Sequence, residues 1–219
     1  ISFSKSNCEK IYQLINKPIV SIDAYGELDA GQENHVLNIG LDDESGGYLM
    51  TKYLLECGYE HIQVCAGRDN GVDHFRYMGA QKAAKEFERR KQKVHFTALG
   101  MNYAKRKESY AWLIQRKKPK TALFFLSDLY ALEAISFFSS RGVKIPEEIG
   151  IAGYDNISFA EFSVPRLTTI SQNVEQKASL AVEILMERIN GVEKERENEI
   201  MLPVTLIPRR SVQPQHEEK

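Results

Sequence analysis

The sequence predicts an α/β protein built on a doubly wound, mostly parallel sheet. Short runs of β-branched and aromatic residues alternate with longer amphipathic segments, which is the rhythm of successive βα units. Polar residues collect just after the expected strands, at Asp23, Arg68-Asp69, Ser127-Asp128 and Asp155-Asn156, the edge where such sheets bind small molecules. Three amphipathic segments stop at Gly58, Gly142 and Gly191, the residue type that ends a helix in the left-handed conformation.

Taken along the chain, strands are expected at Ile19–Asp23, Ile62–Ala66, Val94–Ala98, Thr121–Leu126, Ile149–Tyr154 and Met201–Ile207. Helices are expected at Cys8–Ile15, Ser45–Cys57, His74–Arg90, Arg106–Arg116, Leu129–Arg141 and Val174–Asn190, each with apolar residues at helical spacing. Pro203 and Pro208 cannot donate to a β-ladder, so the last strand is expected at a sheet edge. Ile1-Ser2-Phe3-Ser4 reads as the end of a strand with nothing before it, and residues 213–219 as a polar tail.

Composition narrows the function classes. A chain of 219 residues that is 42% hydrophobic and 27% charged can bury a sizeable core and is too apolar for disorder. Its 29 basic and 30 acidic residues leave a net charge of −1, which gives no long-range field for a polyanion. Cys8, Cys57 and Cys65 form no CxxC pair and leave an odd thiol, which fits a reducing compartment and points to the cytoplasm. No run approaches the roughly 18 apolar residues of a membrane span.

The polar groups after the strands have a chemistry in common. A carboxylate accepts hydrogen bonds from neighbouring hydroxyls and a guanidinium donates in a fixed fork, so an Asp/Arg/Asn set suits a polyol or sugar ring. A single Asp in such a place more often caps the next helix or makes a turn; four together favour a site.

Motifs spread over nearly the whole chain sharpen this. Pro18–Asp23 is similar to a "P-V-V-x-x-D" strand, the stretch from Asp42 to Gly47 to "D-x-x-x-G", and Gly58–Ile62 to "G-H-x-x-I" with Tyr59 in the histidine's place. Arg76–Gly79 matches "R-x-x-G", Pro119–Ala122 matches "P-T-A" with one inserted residue, and Gly142–Ile151 resembles "G-x-x-I-P-E-D-I-x-V". Gly153-Tyr154-Asp155-Asn156, Pro165–Ile170 and the ending from Leu202-Pro203 to Arg210-Ser211 follow in order. By their number, order and spacing, the chain resembles the effector-binding core of the LacI/GalR family of transcription regulators.

The resemblance implies a periplasmic-binding-protein-like fold: two doubly wound parallel-sheet lobes with a small-molecule effector, a sugar or related metabolite, in the cleft between them. It implies that residues 1–41 and 170–195 supply part of the N-terminal lobe, which is incomplete, and that 42–169 and 196–212 form the C-terminal lobe. Asp23 and Asp155 would accept hydroxyl hydrogen bonds, Arg76 would be the forked donor, and Gln172 would face the cleft. Ser127, followed by Asp128, stands where sugar-responsive relatives often carry Asn. Tyr103 lies about where the family places a stacking aromatic, and His74 is two residues before Arg76. Family members dimerise through this core and bind operator DNA through a helix-turn-helix domain that the expectation places before Ile1. The reading is therefore a non-enzymatic sensor without a cofactor or membrane partner; the alternative is an extracytoplasmic sugar-binding protein of a transporter.

Other chemistries find little support. Asp23 and Asp155 could be imagined as a glycosidase pair, but nothing marks the raised-pKa acid such enzymes need. The five histidines show no metal-ligand spacing, the serines lack a G-x-S-x-G context, and Gly46-Gly47 lacks the pattern of a phosphate loop. The basic clusters Arg89-Arg90-Lys91, Lys105-Arg106-Lys107 and Arg116-Lys117-Lys118 read as solvated helix ends.

Overall fold

The computed structural model describes residues 4–15, 17–31, 33, 35–87, 92–192 and 194–214. Within it the chain divides into two compact units, Ile1–Asp42 with Gln172–Val204 (unit 1) and Asp43–Ser171 with Thr205–Lys219 (unit 2).

Unit 1 holds α1 (Lys5–Ile15), β1 (Val20–Ile22), β2 (Leu37–Leu41), α7 (Val174–Ile189) and β8 (Glu199–Leu202). Its sheet runs β1-β2-β8, with both pairings parallel. The central strand β2 is buried along its whole length. Its start is anchored by the buried Glu9 of α1, whose carboxylate accepts from the backbone N–H groups of His35 at 2.7 Å and Val36 at 2.6 Å. Asn38, in the middle of β2, accepts from Ala24 N–H at 3.0 Å and donates to Ala24 C=O at 3.2 Å, so it fixes the turn that follows Asp23.

Unit 2 holds α2 (Asp43–Glu56), β3 (His61–Ala66), α3 (Gly71–Glu86), β4 (Lys93–Ala98), α4 (Tyr103–Gln115), β5 (Thr121–Phe125), α5 (Asp128–Ser139), β6 (Gly150–Ala152), α6 (Ser158–Phe162), β7 (Thr169–Ser171) and β9 (Thr205–Ile207). Its main sheet has the order β4-β3-β5-β6, all parallel, and β7 pairs antiparallel with β9. The order reverses between β3 and β5, so the crevice outside their carboxyl ends is the topological switch point of this sheet. Below it, β5 is buried throughout and Tyr110 packs against Phe125, Phe137 and Phe138. All three cysteines are buried and free.

Helices α2 and α3 cross at glycines. A Cβ on Gly47 would lie 1.8 Å from the Arg76 carbonyl oxygen, and one on Gly79 would lie 1.8 Å from that of Glu44. The motif glycines of the sequence therefore mark backbone-to-backbone contact.

The alternating βα rhythm and the left-handed Gly58, Gly142 and Gly191 are as expected. Several details differ. The single strand Met201–Ile207 is two strands: Pro203 lacks the N–H to continue a ladder, so β8 ends as an edge of the unit 1 sheet and β9 begins in unit 2. For that reason the last crossing between units falls at 204/205 rather than 195/196. β2, β7 and α6 were not anticipated. Arg106 is not a solvated helix end: it is 8% exposed in the first turn of α4 and forks onto Glu133 at 2.7 Å from both Nε and Nη2. The Arg89-Arg90-Lys91 cluster, Ile1-Ser2-Phe3 and residues 215–219 of the tail lie outside the described residues.

Candidate functional site

At the switch point, β3 leads to α3 and β5 leads to Leu126-Ser127 and then α5. Arg76, one turn into α3, reaches across this gap. Its Nε donates to Asp43 Oδ1 at 2.7 Å and its Nη1 to the Leu126 carbonyl at 2.8 Å. The guanidinium lies 3.7 Å from the centroid of the Tyr154 ring, and the Tyr154 hydroxyl donates to the same Asp43 oxygen at 3.1 Å. Close approach of Tyr154 to α2 depends on Gly46, where a Cβ would meet the hydroxyl at 2.2 Å. These contacts hold a cation that is only 7% exposed, and neither hydrogen bond uses Nη2.

Asp155 follows β6 in a left-handed backbone conformation, φ 115, and Asn156 follows it at φ 53. Two successive non-glycine residues of this kind persist only when their surroundings hold them, and such strain gathers at ligand sites. Here Asp155 N–H donates to Ile170 C=O at 2.9 Å, and the Asn156 side chain accepts from Arg209 Nη2 at 2.8 Å. Ser127 donates to Asp155 Oδ2 at 3.1 Å. Burial raises the Asp155 carboxyl above its usual range, while Arg76 and Ser127 work against the rise. Asp73, whose carboxylate is 3.8 Å from Arg76 Nη1, is pushed up to about 6, again chiefly by burial. One forked cation and two carboxylates thus converge at the crevice, an arrangement that can both donate to and accept from the hydroxyls of one small molecule.

Of the residues expected from sequence, Arg76, Ser127 and Asp155 come together here. Asp128 does not join them. It is fully buried, accepts from Thr169 Oγ1 at 2.6 Å and from Ile157 N–H at 2.9 Å, and ties α5 to β7 and α6; burial pushes it up to about 7. His74 pairs with Asp69 at 2.9 Å on the exposed side of α3. Tyr103 is 47% exposed at the start of α4, under the Lys107 ammonium 5.0 Å from its ring centroid. Asp23 and Gln172 belong to unit 1, where Asp23 closes β1 at φ 53 and its carboxylate takes the Lys177 ammonium at 2.5 Å.

Sequence reasoning missed Asp43, Asp73 and Tyr154. Tyr154 stood inside a motif already noted, and Asp43 inside another. Arg76 also has a structural part, because its guanidinium neutralises the Asp43 carboxylate inside unit 2. The ending Arg209-Arg210-Ser211 has a structural part: Ser211 Oγ donates to Ile151 C=O at 2.5 Å and accepts from Thr168 N–H at 2.8 Å, locking β6 beside β7.

Comparison with known proteins places this arrangement. The family model for a periplasmic binding protein-like domain matches residues 51–212. The HTH-type transcriptional repressor PurR of Haemophilus influenzae is 35% identical over 180 residues, covering 78% of this chain and 53% of the repressor, so the chain spans about half the length of the curated relatives it matches. A LacI family transcriptional regulator from Enterococcus faecium with bound ribose superposes with a TM-score of 0.82 at 26% identity, covering 97% of this chain and 77% of that one. A periplasmic binding protein/LacI transcriptional regulator from Alkaliphilus metalliredigens, complexed with D-xylulofuranose, gives 0.78 at 27% identity with the same coverage. Among the described residues no helix is long and apolar enough to cross a membrane. The chain belongs to the family of periplasmic binding protein-like domains, in the form that LacI/GalR-type transcription regulators use as their effector-binding core.

Proposed function

We propose that this chain senses a small polyhydroxylated molecule, a sugar of pentose size, for a DNA-binding transcription regulator in the cytoplasm. The observation that supports the reading most strongly is the Arg76–Asp155 crevice. A prepaid network of Asp43, Tyr154 and the Leu126 carbonyl fixes the guanidinium before any ligand arrives, so little ordering is left for binding. Arg76 would donate to a ring or hydroxyl oxygen and Asp155 would accept from hydroxyls; Asp23 and Gln172 are proposed as further ligand residues. Nothing in this set calls for a reaction. The carboxylates serve as acceptors, and the role is recognition without turnover.

Regulation requires a ligand to bind two arrangements of the protein with different affinity. DNA contact belongs to a helix-turn-helix segment of the full-length regulator. Homodimerisation is proposed through the surface around α6, where Phe159, Phe162 and Val164 are 69%, 76% and 85% exposed. Three large apolar side chains in six residues, beside Arg166 and Arg210, suit a second copy of the chain better than water.

The test is fluorescence anisotropy of the full-length protein on promoter DNA from its own locus, with and without D-ribose or D-xylulose. The expected result is specific binding whose affinity changes at least tenfold with one of the sugars. Sugar binding without any DNA binding would favour the transporter-type alternative and remove the regulator reading.

A further inference from the structure

Lys177 lies in the opening turn of α7, four residues after the Asn173 cap, and is 5% exposed. It shares one helix stripe with the buried Ala181 and Ile184, and an apolar side chain would complete that stripe. A cation there is doubly disfavoured. It is withdrawn from water, and the N-terminal end of a helix carries a partial positive charge of its own. Neither packing nor helix stability accounts for a lysine at this position.

Its ammonium meets Asp23 Oδ2 at 2.5 Å. The backbone beneath Asp23 is already fixed, because Asp23 N–H donates to Ile39 C=O at 2.9 Å and Asn38 clamps both polar groups of Ala24. The ion pair adds the last constraint and holds the carboxylate itself. An ammonium has three N–H donors. Asp23 takes one, and among the described residues no other acceptor is hydrogen-bonded to Lys177.

We propose that Lys177 is an effector-binding residue, whose ammonium holds Asp23 in place and donates a second hydrogen bond to a ligand oxygen. The inference rests on the reading of Asp23 as a ligand residue and deepens it. With Lys177 beside it, Asp23 presents an acceptor and a donor side by side with no net charge. That pair complements a neutral sugar, whose hydroxyls both give and take hydrogen bonds, and discriminates against a cationic amine.

The experiment is calorimetric titration of D-ribose and D-xylulose into the full-length wild type, Asp23→Asn, Lys177→Met and Lys177→Arg, with melting temperatures measured alongside. Met completes the apolar stripe, and Asp23, 41% exposed at its side chain, stays solvated without its partner. Lys177→Met is therefore expected to melt no lower than the wild type while its affinity falls tenfold or more, and Lys177→Arg is expected to recover part of the loss. If Asp23→Asn weakens binding and Lys177→Met does not, the inference is overturned while the reading of Asp23 stands. If Asp23→Asn binds as the wild type does, or if the wild type binds neither sugar, both fall. Should Lys177→Met fail to fold, Lys177→Gln, which keeps much of the length without the charge, supports the same comparison.

Discussion

Arg76→Met is expected to destabilise the protein by about 3–5 kcal/mol, the range for breaking a buried ion pair by removing one partner. The replacement leaves the Asp43 carboxylate, 11% exposed at its side chain, without its cation, and the Leu126 carbonyl without its donor. It also removes the guanidinium stacked on Tyr154. Urea denaturation of the purified variant measures the loss directly. A second variant separates the causes: Asp43→Leu combined with Arg76→Met takes away the stranded charge and should recover about 1 kcal/mol or more, because the two residues form one network. Both variants should fail to bind sugar. An Arg76→Met protein as stable as the wild type would mean that the guanidinium is not the pin that joins α3 to the end of β5.

Gly79→Ala is expected to be as damaging, although it adds one methyl group. In a helix interior alanine ordinarily stabilises by roughly 0.5–1 kcal/mol over glycine, so the sign of the effect is itself diagnostic. Here the new Cβ would fall 1.8 Å from the Glu44 carbonyl oxygen and 2.7 Å from the Tyr48 nitrogen. Both are backbone atoms of α2, and no rotamer change can clear them. The two helices must separate, at a cost of about 3 kcal/mol or more, the upper end of overpacking effects. Arg76 sits one turn before Gly79, so the separation also displaces the guanidinium and weakens binding. Gly67→Ala is the control, since its Cβ would meet nothing within 4 Å, and it should shift stability by no more than about 0.5 kcal/mol. Equal melting of Gly79→Ala and wild type would refute the close crossing.

Much of unit 2 was legible because its strands are written in apolar and β-branched residues, as in Thr121-Ala122-Leu123-Phe124-Phe125, and its helices keep their period. β2 was not. Leu37-Asn38-Ile39-Gly40-Leu41 breaks the apolar run twice, and each break has a tertiary cause: Asn38 clamps the turn after Asp23, and Gly40 gives room to the Met201 sulfur, 3.0 Å from where a Cβ would stand. β7 is three residues long and partly polar, too short for a periodic signal. The same limit applies to the site. Residue order could place Ser127, Asp128 and Asp155 at strand ends, yet it could not say which way a carboxylate turns. Asp128 turns inward to Thr169, 41 positions later, and Asp155 is held by Ser127, 28 positions earlier. Nor could it pair Arg76 with Asp43, because that contact depends on how closely α2 and α3 cross.

If Asp155 receives the hydroxyl groups of an effector at the end of β6, taking away its charge must weaken binding. The most direct measurement is calorimetric titration of D-ribose and D-xylulose into the full-length protein and into Asp155→Asn. The substitution keeps the size of the side chain and one acceptor oxygen, and asparagine tolerates the left-handed backbone that residue 155 adopts. The variant is expected to melt within a few degrees of the wild type and to bind the sugar about 10- to 100-fold more weakly, the loss expected for a charged hydrogen bond. A folded Asp155→Asn protein that binds the same sugar with undiminished affinity would contradict it.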